Sequence, residues 1–291
     1  MPESNDEPFP LPGVDLTRPS VARIYDYYLG GTTNWEVDRQ FAERVLRDYP
    51  VIRSVAYANR MFQRRVVRHL VRLGIRQFID IGSGVPTMGH VHEVGEQVAP
   101  GEVRVAYVDH EPVAVDHANL LLQEHGDPSR HAAVHADLRD PDRVWSRISD
   151  TGVIDLREPV AVLLMAVLHI QQPPAPGSGD TEDLGPRLVA TYRDLLVPGS
   201  YLSLSHVTDT EVSPRSAAML GELKSMYANS VSPAIFRDRR EVTALFGDFT
   251  LLEPGVTWAP DWHPEEASEH DQVVDFSDPS GSLLLVGTAR K

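Results

Sequence analysis

The sequence predicts an α/β fold, a doubly wound parallel sheet with helices on both faces, preceded by a helical segment. Three observations carry this. From residue 76 onward, short apolar runs alternate with segments of helical periodicity, the pattern of a sheet covered on both sides. The run from Arg76 to Ile81 enters a glycine turn, Gly82-Ser83-Gly84, which opens a helical stripe of Met88, Val91, Val94 and Val98. Successive apolar runs also terminate in polar residues, namely Asp109, Asp137 and His169.

Residues 1–16 read as a flexible tail. Val21, Ile24, Tyr25, Tyr28 and Leu29 then form one helical stripe, with Ser20 as cap and Gly30-Gly31 as stop. A second helix is expected from Asn34 to Pro50, with Val37, Phe41 and Val45 inward, and a third from Ile52 to Leu73, closing at Gly74. Residues 17–75 are therefore read as a helical lid over the carboxyl ends of the strands.

The first strand holds Phe78, Ile79 and Ile81, with Asp80 as the carboxylate at the lip of the turn. The second runs from Val103 to Asp109 and is followed by His110, Glu111, Pro112 and a helix to His125. The third covers Ala132 to Asp137, with Leu138 beside it, and the fourth is the apolar run from Val160 to His169. Residues 171–180 form a loop by composition, and a helix over Leu184–Leu196 leads to a fifth strand, Tyr201–His206. Residues 207–247 read as a helical insertion, with helices over 213–230 and 238–246. Phe249–Leu252 and Ser282–Ala289 complete seven strands, and an acidic loop with Trp258, Trp262 and His263 lies between these last two.

Glycines at a strand–helix turn let a backbone approach a ligand, and helix N–H groups face it. The dinucleotide fingerprint requires glycine or alanine where Thr87 stands, after Pro86, which lacks an N–H. Asp80 would repel a diphosphate but suits a ligand carrying an ammonium or sulfonium group. Asp109 at the end of the second strand can accept two ribose hydroxyls. Asp137 and Leu138 suit an adenine amino group and its ring. The alternative for Asp109 and for Asp137 is a helix N-cap, and for the glycines a plain tight turn.

These residues, with Leu196-Val197-Pro198-Gly199, resemble the class I S-adenosylmethionine-dependent methyltransferases. Residues Pro19 to Gly31 narrow the resemblance to the bacterial S-adenosyl methyltransferase family, once listed as a domain of unknown function. The resemblance implies a Rossmann-like, seven-stranded and mostly parallel sheet whose last strand is antiparallel. It implies S-adenosylmethionine as cofactor, with Asp80, Gly82, Ser83 and Gly84 at the methionine part, Asp109 and His110 at the ribose, and Asp137 and Leu138 at adenine. Tyr28 and Met165 complete the expected cofactor contacts.

His169 is the catalytic candidate, because a neutral imidazole at a strand's carboxyl end can take a proton from an acceptor hydroxyl or amine. The alternative is a structural histidine hydrogen-bonded to backbone. His206, Tyr227 and Trp262 either shape an acceptor pocket or pack in the core. His90 and His92 lack the i, i+4 spacing of a helical zinc site, so no metal is expected. A formal charge of −15 argues against nucleic acid and anionic membrane as partners. With no cysteine, disulfide and thiolate chemistry are excluded, and no apolar run reaches spanning length, so a cytoplasmic protein with a small-molecule acceptor is expected. Two rivals stand beside the methyltransferase: an NAD-dependent oxidoreductase on a similar sheet, and a protein that binds the cofactor without transferring its methyl group.

Overall fold

The computed structural model describes residues 14–85, 87–172, 183–269 and 271–291. Most of the expected tail and most of the loop after the fourth strand lie outside these residues. Three helices come first, α1 (Val21–Tyr28), α2 (Glu36–Asp48) and α3 (Val51–Arg72). The alternating part follows: β1 (Gln77–Ile81), α4 (Val91–Val98), β2 (Arg104–Asp109), α5 (Pro112–His125), β3 (His131–His135), α6 (Pro141–Thr151) and β4 (Ala161–Met165). The chain continues through α7 (Gly185–Leu195), β5 (Tyr201–Val207), α8 (Pro214–Ser230), α9 (Arg239–Ala244), β6 (Thr250–Leu251), β7 (Thr257–Trp258) and β8 (Leu284–Arg290).

The sheet order is β3-β2-β1-β4-β5-β8-β6, with β7 pairing to β8 off this path. The first five strands are parallel. β8 inserts antiparallel between β5 and β6. The seven-stranded path thus has the expected topology, and the acidic loop adds an eighth, two-residue strand that the sequence did not announce.

Side chains of a strand alternate between faces, and here they feed two cores. Phe78, Val105, Tyr107 and Leu163 join α3 and α4 on one face. Ile79, Ile81, Val108, Val162 and Leu164 join Val144 and Ile148 of α6 and Val189 and Tyr192 of α7 on the other. Asp80 has the parity of Phe78, so it is presented to α3.

Some expectations change. Ser20 occupies the N-cap of α1, but its side chain makes no cap bond; its hydroxyl donates to Glu111 instead. The fourth strand stops at Met165, four residues before His169, because Ala166 adopts a left-handed backbone with φ 57. There the Ala166 N–H leaves the ladder and donates to Ser205 Oγ at 2.8 Å. Trp262 is fully buried and packs edge-on against Phe62. It is core and forms no pocket wall. His90 is the N-cap residue of α4, and its ring stacks on that of His92 at 5.7 Å. Among the described residues, no group of three or more His, Asp or Glu side chains could hold a metal ion, and no helix is long and apolar enough to cross a membrane.

Candidate functional site

The glycine turn is pinned from the neighbouring strand. Gly82 and Ser83 both donate their N–H groups to the Val108 carbonyl, at 2.7 and 3.1 Å. Gly82 has φ +71, and a β-carbon there would lie 2.3 Å from Val167 Cγ1, so no other residue fits. Gly84 also has a positive φ, +66, yet nothing lies within 4 Å of its would-be β-carbon. The turn is therefore closed on its Gly82 side and open at Gly84, where a ligand can reach the backbone.

Asp80 is 2% exposed, and its Oδ2 accepts from Gln63 Nε2 at 2.9 Å. Burial pushes its carboxyl up to about 6, against the pull of the Arg60 guanidinium and the Gln63 hydrogen bond. Arg60 Nη1 donates to Gln63 Oε1 at 2.6 Å, whereas Arg60 Nε is enclosed and has no partner among the described residues. Arg60, Asp80, Ser83, Gly84 and His90 line one narrow crevice. It thus holds an unpaired donor beside a carboxyl whose ionisation burial opposes.

Asp109 ends β2 and ties the turn to the next helix. Its Oδ2 accepts from the Gly84 N–H and its Oδ1 from the Glu111 N–H, both at 2.8 Å. It does not cap α5, whose N-cap position is Glu111. His110 lies beside it, largely exposed, with Nδ1 3.5 Å from Asp109 Oδ1. The neighbouring Asp109 carboxylate raises the imidazole above its usual range, and the charge of Asp137 adds to this. Asp109, His110 and Asp137 thus form one electrostatic cluster. Asp137 does not cap α6 either, since Asp140 does so by accepting from the Arg143 N–H. Its carboxylate is held in a fork by Arg139, with Nη2 at 2.6 Å, and Arg139 keeps it below the usual range despite burial. Leu138 offers its carbonyl to the Tyr192 hydroxyl at 2.8 Å.

A second cavity, of about 130 Å³, lies between the N-terminal helices, α8 and the carboxyl ends of β4 and β5. His169 and Tyr28 line it, and neither belongs to the glycine crevice. Tyr28, expected against the cofactor, is 3% exposed and shares a 3.0 Å hydrogen bond with the Tyr227 hydroxyl across the cavity wall. Tyr227, held near the core in the sequence reading, is thus a wall residue. Burial pushes both phenols up, Tyr227 to about 12. His169 Nδ1 is enclosed with no partner among the described residues. Burial, and after it the Arg237 cation, lower its pKa to about 4. His206 is fully buried, bound to Arg237 Nη1 at 2.5 Å, and does not line the cavity. Met165 is core at the end of β4 and lines neither cavity.

The sequence reading missed what joins the two spaces. On α3, Asn59 lines the apolar cavity while Arg60 lines the glycine crevice. One turn on, Gln63 bonds Asp80. A pair of amides at i, i+4, Asn59 and Gln63, within one long helical stretch was the available signal, because a buried amide needs partners. Also missed were two ties from α1 to the sheet. Buried Arg23 pairs with Asp38 at 2.8 Å and Glu111 at 2.9 Å. Asp26 accepts from Thr87 Oγ1 at 2.7 Å, which gives the residue standing at the third glycine position a partner in α1.

The sequence model of the S-adenosyl methyltransferase family matches residues 10–290. Among solved structures, a methyltransferase candidate from Thermobifida fusca YX is 35% identical, with 97% of this chain and 98% of that one covered at a TM-score of 0.80. A DUF574 family protein from Streptomyces avermitilis MA-4680 is 31% identical over 94% of this chain and 98% of that one, with a TM-score of 0.79. Magnesium protoporphyrin IX methyltransferase from Synechocystis PCC 6803, solved with bound SAH, shares the fold at 16% identity and a TM-score of 0.50, over 92% and 98% of the two chains. A search of curated proteins gave no match. With a family match across nearly its whole length and two full-length relatives above 30% identity, the chain belongs to the S-adenosyl methyltransferase family.

Proposed function

We propose that this S-adenosylmethionine-dependent methyltransferase acts on an oxygen or nitrogen of a small molecule bound in the apolar cavity. The observation that carries this reading is the placement of α3. One turn of that helix serves both the glycine crevice, through Arg60 and Gln63, and the apolar cavity, through Asn59. A donor and an acceptor of a methyl group must meet across such a boundary.

When bound, S-adenosylmethionine supplies an electrophilic methyl group; the chain supplies position and a dry environment. The residues present fit its amino-acid end. The unpaired Arg60 Nε would meet its carboxylate, and Asp80 its ammonium, relieving two buried groups at once. Gly82, Ser83 and the open side of Gly84 would follow its backbone-like part, Asp109 and His110 its ribose. Asp137 and Leu138 would edge the adenine, for which Arg139 must share its carboxylate. Residues 17–75 would serve as the lid, anchored through Arg23–Glu111 and Asp26–Thr87. We keep His169 as the base. It is neutral at physiological pH, and a conjugate acid near 4 restricts it to protons that become acidic as the methyl bond forms. The cysteine-free chain supports a cytoplasmic setting.

The test is calorimetric titration with S-adenosylmethionine, its demethylated product and NAD. Binding of the first two and not of NAD is expected; binding of NAD alone would overturn the reading. Once an acceptor is in hand, His169→Asn should lower turnover by roughly 10²–10⁴-fold with cofactor affinity intact. A folded variant with wild-type turnover would leave transfer to alignment alone.

A further inference from the structure

The chemistry of the acceptor is written in the walls of the apolar cavity. Its volume of about 130 Å³ is close to that of a dry cavity that takes up one benzene-sized ring, roughly 150 Å³. Ile24, Val55, Leu220, Leu223 and Phe236 supply aliphatic and aromatic surface. The polar groups in the wall are largely committed to one another or to the backbone. Asn59 Nδ2 donates to the Tyr25 hydroxyl at 2.9 Å, which donates to the Ala56 carbonyl at 3.0 Å. Asn59 Oδ1 accepts from Ser205 Oγ at 2.5 Å, and Tyr28 is satisfied by Tyr227. A sugar or a nucleoside would find few free partners, and burying its hydroxyls unpaired is costly.

Charge narrows the choice further. No carboxylate lines the cavity among the described residues, so a cationic amine has no counter-ion there. One side chain in the wall carries a full charge at neutral pH, Lys224. It is exposed, so it stands at the mouth, and it forms no ion pair among the described residues. Its ammonium lies 5.5 Å over the Phe236 ring, at the edge of the apolar surface. With a formal charge of −15 for the whole chain, an unpaired cation at this mouth marks a local reversal of sign.

We propose that the acceptor is a monoanionic molecule with a single ring-sized apolar body, held in this cavity with its carboxylate against Lys224. This rests on the methyltransferase reading above. The ring excludes water from the end of β4, where Ala166 and His169 meet the cavity, and the carboxylate sets the orientation of the ring.

Three probes of one shape and different charge test it: benzoate, benzamide and benzylamine, titrated into protein already saturated with S-adenosylhomocysteine. Benzoate should bind about two- to fivefold more tightly than benzamide, the scale of one exposed ion pair, and benzylamine more weakly than both. Lys224→Glu should erase the preference for benzoate while leaving S-adenosylhomocysteine affinity unchanged. Val55→Phe, which fills the cavity, should abolish binding of all three. If benzylamine binds as well as benzoate, if the Lys224→Glu protein keeps the preference, or if no ring compound binds to the saturated protein, the proposal is overturned. Failure to bind S-adenosylhomocysteine in the first place would overturn the methyltransferase reading instead, so the two failures are distinct.

Discussion

The proposed contact between Asp80 and the cofactor's ammonium would couple binding to pH. In the free protein burial holds its carboxyl at about 6, up from 3.8, so ionising it in the folded state costs about 3 kcal/mol at roughly 1.4 kcal/mol per pH unit. The folded pKa lies above the unfolded one, so the folded state holds the extra proton between the two. Stability therefore falls as pH rises from about 4 to about 6, and the whole penalty is present above that. A ligand ammonium beside Asp80 reverses the balance by favouring the carboxylate. S-adenosylhomocysteine affinity should then rise as pH climbs from 5 to 7 and level off above. Asp80→Asn keeps the shape and an acceptor for Gln63 but cannot ionise. Free Asp80→Asn protein should be more stable than wild type by about 1–3 kcal/mol at pH 8 and equal to it near pH 4. Its affinity should be roughly 10–100-fold weaker at pH 8, the worth of one hydrogen bond to a charged group, and flatter across pH. The Asp109 carboxylate holds the His110 imidazole above its usual range, so its charge also depends on pH, and the variant isolates the share of Asp80. Denaturant melts and calorimetry at pH 5, 6, 7 and 8 provide both readings. Wild-type affinity that is flat over this range, or Asp80→Asn protein that binds as tightly as wild type at pH 8, would refute the reasoning.

Asp109→Ala should weaken S-adenosylhomocysteine binding by about 1–3 kcal/mol, since ribose hydroxyls lose a charged partner and the turn loses its tie at Gly84; calorimetry reads it. Gly82→Ala should destabilise the fold by about 2–4 kcal/mol in a denaturant melt, because φ +71 and the contact with Val167 both oppose a methyl group. Gly84→Ala faces open space and should lose only about 1–2 kcal/mol of stability, while its cofactor affinity falls about tenfold, roughly 1.4 kcal/mol. Thr87→Val removes the donor that binds Asp26 and should cost about 1–2 kcal/mol. Hydrogen exchange over residues 20–34 should become faster in that variant and slower in wild type on cofactor binding; unchanged protection in both would make these helices a brace and not a lid.

The sequence by itself determined the layer architecture, the strand–turn–helix at Gly82 and the order of the acidic residues that follow it. Periodicity and turn chemistry are local, so they survive in a single chain: the stripe of α1, the apolar β1 and the paired glycines announce themselves within a dozen residues. Tertiary structure decided the site. Ala166 carries no mark of a left-handed backbone, since alanine rarely adopts one, so β4 was read four residues too long and His169 too close to the strand. Asp137 follows the third strand as the sequence suggests, but its engagement with Arg139 depends on a turn geometry that composition does not encode. The two-residue strands β6 and β7 exist because β8 offers them a ladder, and no periodicity can develop over two residues. Tyr28 meets Tyr227 across a sequence separation of 199, and it forms a wall of the apolar cavity. Arg60, Gln63 and Asp80 become one unit only when α3 lies across β1. A local pattern states which face of an element is apolar; which buried polar group completes another is settled only when those faces close, because each must find its hydrogen-bond partner there or stay unsatisfied.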